Sequence, residues 1–205
     1  QLIHNEVDAN HSRGPHHLMQ RLYDAAGAGF SQGQGAHRHK LVALHGRCLA
    51  VVFARSGRPP SQTCCAAWSL QEAKEVVTSK SRWFSIALTE QDAPWAFIKG
   101  APARTISALE LLATTLGLVL LSPPNLSSGT CGSVSVTGMT DSLVSSSVVT
   151  RGMSTKFPLC VVAMELSAQL EARGAELLLD WIPREVNAEA DRLADGDSRG
   201  FNPEL

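Results

Sequence analysis

The sequence predicts an α/β domain, because three strand-like segments come first and helical segments then alternate with two more strands. The three opening segments, residues 49–53, 63–68 and 83–88, are short, apolar and rich in aromatic or β-branched side chains. Such segments are typical of a meander of antiparallel strands. The 205-residue chain is 44% hydrophobic and 18% charged, which is the composition of a globular protein with one core.

Turn residues separate the three opening strands. Gly57 and the pair Pro59-Pro60 end the first strand, since proline cannot donate to a sheet ladder. Polar loops are expected over residues 69–82 and 89–105.

The first helix predicted by the sequence begins at Ile106. Apolar residues recur at spacings of three and four, which places them on one face. The sequence Ser122-Pro123-Pro124 ends this helix. The apolar face comprises Ile106, Leu109, Ala113, Leu116 and Leu120.

The second half of the chain alternates strands with helices. A strand over residues 133–139 leads into Thr140-Asp141-Ser142, and a weak helical segment follows to about Arg151. A stronger helix begins at Pro158 and stops at Gly174.

A last strand and a last helix complete the pattern. The strand covers residues 176–182 and is broken by Pro183. Asn187 is a suitable N-cap for the final helix, and Glu189 is favourable near that helix's positive end.

Residues 1–46 differ in composition from the rest of the chain. They hold all seven histidines and two glycine-rich stretches, so we expect a poorly ordered arm or linker. His16-His17 and His37-x-His39 could bind a metal, but without a Cys partner or a scaffold we expect only adventitious binding. The domain itself is expected over residues 47–200, with a tail at residues 201–205.

The five cysteines form no C-x-x-C pair, which favours reduced thiols of an intracellular protein, nuclear or cytoplasmic. Cys64 and Cys65 would point to opposite faces of a strand, so we expect packing and no shared metal. No apolar run reaches the roughly 18 residues that span a bilayer, so no membrane partner is expected. The first residue is Gln1, as in a fragment of a longer product.

The net charge of −1 is unevenly distributed along the chain. Residues 1–105 carry 12 Lys and Arg against 7 Asp and Glu, whereas residues 106–205 carry 6 against 12. A basic half suits contact with phosphates and an acidic half suits cation binding, although ordinary surface charge gives the same counts.

Three carboxylates lie where a metal-dependent nuclease would need them. Glu110 shares a helix side with apolar and small residues, Asp141 follows a strand, and Asp191 lies in the first turn of the last helix. Each has an ordinary alternative: a boundary Glu that reaches solvent, an N-cap Asp, and a solvated acid at a helix start. Together they suit hydrolysis of a phosphodiester by two cations, for which hard oxygen ligands select Mg²⁺ or Mn²⁺.

Four stretches resemble the ribonuclease H domain of retroelement reverse transcriptase polyproteins. The resemblance depends on their order and spacing and covers about residues 47–200. The stretches are Ala108-Leu109-Glu110-Leu111-Leu112-Ala113, Thr140-Asp141-Ser142, Thr155-Lys156-Phe157-Pro158-Leu159, and Trp181-Ile182-Pro183-Arg184-Glu185-Val186-Asn187-Ala188-Glu189-Ala190-Asp191. They are similar to the x-L-E-L-L-A helix, the T-D-N strand end and the W-x-P-R-E-x-N-x-x-A-D close of that family.

The resemblance implies a ribonuclease H-like fold, with a mixed sheet of three antiparallel and two parallel strands flanked by helices. It implies that Glu110, Asp141 and Asp191 are catalytic metal ligands for Mg²⁺ or Mn²⁺, and that the substrate is the RNA of an RNA–DNA hybrid. Trp83-Phe84 and Trp95 would take packing or strand-edge positions. A reverse transcriptase domain could precede this chain in the full-length product.

One ligand of the family pattern is missing. The family's first strand ends in an aspartate that contacts both metals, and here Ala54 or Arg55 takes that place. Arg55 would put a positive charge where cations must bind. Asp92, the nearest downstream acid, follows the third strand and is not expected to replace it.

These observations predict a ribonuclease H-like domain whose hydrolysis is impaired. The alternatives are a domain that binds nucleic acid without catalysis and a domesticated domain that binds another protein.

Overall fold

The structure is a computed structural model that describes residues 48–52, 62–70, 81–97, 105–121 and 134–202. These residues form one five-stranded sheet, four α-helices and two short 3₁₀ helices, Pro94–Ala96 and Arg184–Asn187. The predicted α/β class is confirmed. The histidine pairs, Ala54 and Arg55 lie outside the described residues.

The five strands occur in the segments where the sequence predicts them. They are β1 (Cys48–Val52), β2 (Gln62–Leu70), β3 (Trp83–Thr89), β4 (Val134–Thr140) and β5 (Ala175–Trp181). In space their order is β3-β2-β1-β4-β5. β1 and β3 both run antiparallel to β2, whereas β4 runs parallel to β1 and to β5.

Four helices connect or cover these strands. They are α1 (Ile106–Leu121), α2 (Leu143–Arg151), α3 (Leu159–Arg173) and α4 (Ala188–Ala194). As predicted, α3 ends at Gly174, which has a φ of 58° and donates its N–H to carbonyl oxygens of the last turn. None of the helices in the described ranges combines the length and the apolar character needed to cross a membrane.

Helix α2 is better defined than its sequence suggests. Ser142 is its N-cap, and the Ser142 hydroxyl accepts a hydrogen bond of 3.1 Å from the Ser145 N–H. The alternative role of Asp141 as the N-cap is therefore wrong, and the Asp141 carboxylate is not needed to start the helix. Gly152, with a φ of 70°, ends α2 by donating its N–H to Val148 and Val149.

The sheet separates two apolar clusters, one on each face. On one face, α1 packs against β1 and β2 and is covered by α3. On the other face, the shorter α4 packs against β1, β2 and β3. Consecutive residues of β2 alternate between the two clusters, since Cys65 belongs to the first and Ala66 to the second.

The two neighbouring cysteines follow this alternation, as predicted. The Cys64 Sγ lies 3.4 Å from the Ser85 Oγ, which donates to the backbone of α4 at Leu193. The Cys65 Sγ lies 3.7 Å from the Leu109 carbonyl oxygen of α1. Both cysteines are free thiols and buried, and burial raises the pKa of Cys65 well above its usual value. The pair therefore contributes packing on both faces.

The domain continues beyond residue 200. Phe201 is buried against Trp83, with ring centroids 5.8 Å apart. The Trp83 Nε1 donates a hydrogen bond of 2.8 Å to the Asn202 carbonyl oxygen. Residues 201 and 202, which were expected to belong to a tail, are thus part of the folded domain. Trp83 lies on β3 at the edge of the sheet and Trp95 is buried, in agreement with their predicted roles.

Candidate functional site

Three different elements supply the three predicted carboxylates. Glu110 is the only charged residue of α1, Asp141 directly follows β4, and Asp191 lies in α4. α1 and α4 pack on opposite faces of the sheet, and β4 is the parallel strand next to β1. Asp141, at the end of β4, interacts electrostatically with Glu110 of α1 and with Asp191 of α4. We call Glu110, Asp141 and Asp191 the carboxylate group.

Asp141 is close enough to Glu110 for its charge to affect the ionisation of the Glu110 carboxyl. Burial raises the pKa of Glu110, and the charge on Asp141 adds to the rise, while a hydrogen bond from Ser142 and the charge on Arg184 oppose it. The charge on Arg184 acts on both Glu110 and Asp141. Glu110 is partly buried, as the ordinary alternative of a boundary Glu expects, but it also interacts with the charges on Asp141 and Arg184.

Asp141 has the most perturbed carboxyl of the group. Burial raises its pKa from 3.8 to about 6, and the charge on Asp191 adds to the rise. Three interactions lower the Asp141 pKa: a hydrogen bond with its own backbone, the charge on Arg184 and the nearby side chain of Asn187. The Asp141 Oδ1 atom is buried and has no hydrogen-bond partner among the described residues. A carboxylate with an unpaired buried oxygen is an available ligand or proton acceptor.

Asn187 lies beside Asp141 and is 3% exposed. It occupies the predicted N-cap position of α4, but its side chain makes no capping hydrogen bond. The side chain is instead near enough to Asp141 to lower that carboxyl's pKa, although its Nδ2 completes no hydrogen bond with any described residue. The predicted N-cap position is therefore confirmed, but the side chain makes no capping hydrogen bond, and the amide belongs to the surroundings of the carboxylate group.

Arg184 is the cation of the site. Its Nε and Nη2 donate to the Oδ2 and Oδ1 of Asp191 at 3.0 and 3.3 Å. The bond with Asp191 raises the pKa of Arg184, and the Asp141 charge contributes to the same rise. In the sequence, Arg184 appeared only as one residue of the closing motif, with no role assigned to it. Its position seven residues before Asp191, just after the proline that ends β5, was the one available signal.

Backbone and side-chain bonds hold the end of β4 in place. The Trp181 Nε1 donates to the Asp141 carbonyl oxygen at 3.0 Å, and the Ile182 N–H donates to the Thr140 carbonyl oxygen at 2.8 Å. The Thr140 Oγ1 accepts from the Ser142 N–H at 3.1 Å. The end of β5 therefore anchors the backbone that carries Asp141, which leaves the carboxylate to interact with the other acids.

The strand next to β4 contributes no carboxylate at the level of Asp141. Ala50 of β1 pairs with Met139 of β4 in the parallel register. The sequence contains no Asp or Glu between Asp24 and Glu72. No acid of the β1 segment can therefore complete the carboxylate group.

Asp92 has a different, structural role. Its Oδ2 accepts hydrogen bonds from the Thr89 N–H at 3.1 Å and from the Thr89 Oγ1 at 2.7 Å. These bonds close the turn after β3, on the outer strand of the sheet. As expected from the sequence, Asp92 does not replace the missing first-strand acid.

The carboxylate group has the donor chemistry of a Mg²⁺ or Mn²⁺ site but not the arrangement of a two-cation site. Its atoms are hard oxygens, and the Asp141 Oδ1 is unpaired. However, both Asp191 oxygens are bound by Arg184. Within the described ranges, no three His, Cys, Asp or Glu side chains are placed to hold one ion together. The role of Glu110, Asp141 and Asp191 as metal ligands stays a prediction.

No protein-family model matches this sequence, and no curated protein matches it either. Three solved structures to which the chain is similar are ribonuclease H domains. RNase H1 from the halophilic archaeon Halobacterium salinarum has a TM-score of 0.45 and 16% identity, and the match covers 74% of this chain and 96% of that one. The N-terminal RNase H domain of a Mycobacterium tuberculosis protein, solved as a fusion with maltose binding protein, has a TM-score of 0.44 and 16% identity, with 74% and 94% covered. The RNase H domain of PFV has a TM-score of 0.42 and 15% identity, with 76% and 94% covered.

Proposed function

We propose that this chain is a ribonuclease H-like domain of retroelement origin that binds RNA–DNA hybrids and has impaired hydrolysis. The observation that carries the proposal is the carboxylate group, in which Asp141 at the end of β4 interacts electrostatically with Glu110 of α1 and with Asp191 of α4. That arrangement agrees with the roles that the four-stretch resemblance implies for Glu110, Asp141 and Asp191.

The impairment follows from the missing acid and from Arg184. Hydrolysis by two divalent ions about 4 Å apart needs carboxylates that bridge both ions. The sequence has no Asp or Glu between Asp24 and Glu72, so β1 supplies no acid, and the Asp191 carboxylate is already bound by a guanidinium. Two ions would therefore lack a bridging ligand and would meet a positive charge.

Binding of nucleic acid is supported by two cations near the start of α3. Arg151 and Lys156 line a surface cavity of about 520 Å³ between α2 and α3. None of the described residues that line this cavity is acidic. Such a surface suits the phosphates of one strand, which are recognised mainly by charge. The 2′-hydroxyls in the wide minor groove of an A-form-like duplex would then favour a hybrid over DNA.

The experiment measures binding and cleavage separately. Fluorescence anisotropy with a labelled RNA–DNA hybrid, in EDTA, should show binding that weakens between 50 and 200 mM salt. Replacement of both cations, Arg151→Gln with Lys156→Gln, should weaken binding about tenfold or less, since two phosphate contacts are lost. Arg199→Gln, far from this cavity in sequence and exposed, is the matched control and should bind like the wild type.

Cleavage of the same hybrid is then assayed with Mg²⁺ and with Mn²⁺. We expect no product from the wild type above the level given by Asp141→Asn. Cleavage by the wild type that Asp141→Asn abolishes would show an active nuclease and overturn the impairment. Absence of hybrid binding at 50 mM salt would overturn the nucleic-acid role.

A protein-interaction domain is the second candidate function. The same cavity is flanked by apolar side chains that are largely exposed: Leu143 at 66%, Val144 at 44% and Met153 at 69%. Clusters of exposed apolar side chains are typical of sites where another protein binds. A partner protein that binds at the cavity with an affinity independent of salt concentration would favour this candidate over nucleic-acid binding.

A further inference from the structure

We propose that Arg184 is the built-in counter-cation of the carboxylate group, so that its guanidinium takes the place of a divalent ion and the wild-type chain binds Mg²⁺ or Mn²⁺ weakly. The inference rests on the proposed function only in treating this group as the ancestral metal site. It adds a specific role for a residue that lies outside the three predicted ligands.

The geometry of the ion pair supports this role. The guanidinium bonds both oxygens of Asp191, at 3.0 and 3.3 Å. A bidentate pair occupies two of the roughly four lone-pair sites of a carboxylate, those on the side that faces the guanidinium. An ion could therefore bind Asp191 only through the remaining sites, next to a fixed positive charge.

The charge of Arg184 reaches beyond its direct partner. It interacts electrostatically with Asp141 and with Glu110 as well as with Asp191. One guanidinium therefore interacts with all three members of the carboxylate group. A metal ion at the same place would be repelled by the guanidinium. The acids would also attract that ion less strongly, because Arg184 already neutralises part of their negative charge.

The chain holds Arg184 at this place by local structure. Pro183, with a φ of −59° and a ψ of 147°, ends the extended segment, and Arg184 begins the 3₁₀ helix Arg184–Asn187 that leads into α4. Arg184 and Asp191 thus belong to one continuous turn-and-helix unit. The Arg184 side chain is 54% exposed and that of Asp191 only 18%. The arginine can therefore be replaced without opening the core.

The test measures binding of Mn²⁺ alone to the full 205-residue chain, by electron paramagnetic resonance and by calorimetry, without nucleic acid. We expect Arg184→Gln to tighten Mn²⁺ binding about tenfold or more, the size that changes around metal ligands commonly have. Arg184→Lys keeps one charge but loses the planar fork, so it should tighten binding less than Arg184→Gln.

Arg199→Gln is the matched control, because Arg199 also bonds both oxygens of an aspartate, Asp197, outside the carboxylate group. It removes the same charge and should leave Mn²⁺ binding unchanged. Equal tightening by Arg199→Gln would mean that only net charge matters, which would contradict the proposal.

Two further results would also overturn the proposal: Mn²⁺ binding that is the same in Arg184→Gln and the wild type, or binding by the wild type as tight as by the variant. Circular dichroism melts in EDTA establish that each variant is folded. If Arg184→Gln does not fold, the Mn²⁺ affinity of Arg184→Lys is the test. An Arg184→Lys variant that binds Mn²⁺ as weakly as the wild type would then contradict the proposal. Hybrid binding is measured in EDTA and therefore does not depend on the metal site. If the proposal for Arg184 fails, the proposed nucleic-acid role is unaffected. If hybrid binding is absent, the proposal for Arg184 is unaffected.

Discussion

The two faces of the sheet bury very different amounts of apolar surface. On one face, α1 has sixteen residues, most of them buried, and α3 covers it. On the other face, α4 has seven residues and buries Ala190, Leu193 and Ala194 against a small cluster with Phe201. The carboxylate group takes Glu110 from the first face and Asp191 from the second.

This difference has a consequence for the site. Glu110 is carried by a helix that is packed on several sides, so its backbone is fixed by the largest core of the domain. Asp191 is carried by a helix with few apolar contacts, and its carboxylate is held by Arg184. Segments with few buried contacts open more readily than the rest of a domain. The position of Asp191 relative to the other two acids is therefore the most adjustable feature of the group.

Leu112→Ala should give the largest effect on stability, because it removes a fully buried side chain of α1 from the larger cluster. We expect a loss of about 2–5 kcal/mol in the free energy of unfolding, as is usual for leucine in a core that cannot collapse around the cavity. Urea unfolding followed by circular dichroism measures this loss. Met164→Ala on α3, where the side chain is 71% exposed, is the control and should change stability by less than about 0.5 kcal/mol.

Leu193→Ala tests the smaller face. Leu193 is fully buried between α4 and the sheet, and its loss should cost about 2–3 kcal/mol. We expect part of this cost to appear as local opening, which hydrogen exchange would detect as faster exchange of the α4 amides than of the α1 amides. Equal acceleration in both helices would mean that the two faces unfold as one unit and that the comparison between them does not hold.

The sequence was sufficient for the elements whose signals are local. The apolar spacing that begins at Ile106 predicted α1, and Gly174 marked the end of α3, because both depend on a few neighbouring residues. The three acids were also identifiable, since they lie in recognisable stretches. What the sequence could not give was their environment: the pKa of Asp141 depends on burial and on charges from two other elements.

Interactions between distant elements also explain where the capping interactions in the structure differ from those that the sequence predicts. Asn187 and Asp141 are both suitable N-caps by residue type, yet Ser142 caps α2 and the Asn187 amide turns toward Asp141. Capping propensity is local, whereas the competing interactions here join α4 to the end of β4. Arg184 was missed as a site residue for this reason, because its partner is defined only once the turn after β5 is folded.

Asp141→Asn should have a small effect on stability, and its sign depends on pH. Asp141 joins the two faces, because it lies between Glu110 and Asp191 at the end of β4. Its pKa is raised from 3.8 to about 6, chiefly by burial. Between these values the folded state keeps a proton that the unfolded state has lost, so this group makes the protein less stable as pH rises through the window. Above a pH of about 6 the folded protein retains a partly buried charge, which Asn removes.

The variant should therefore melt on the order of 2 °C higher than the wild type at pH 8, a shift that corresponds to less than 1 kcal/mol in a domain of this size. At pH 4 the difference should vanish, because the wild-type carboxyl is then largely protonated in the folded state. Thermal unfolding at five pH values measures this, with Asp180→Asn on the exposed side of β5 as the control. A variant less stable than the wild type at pH 8 would mean that Arg184 and Asn187 outweigh burial at Asp141. The charged carboxylate group would then stabilise the contact between the two faces.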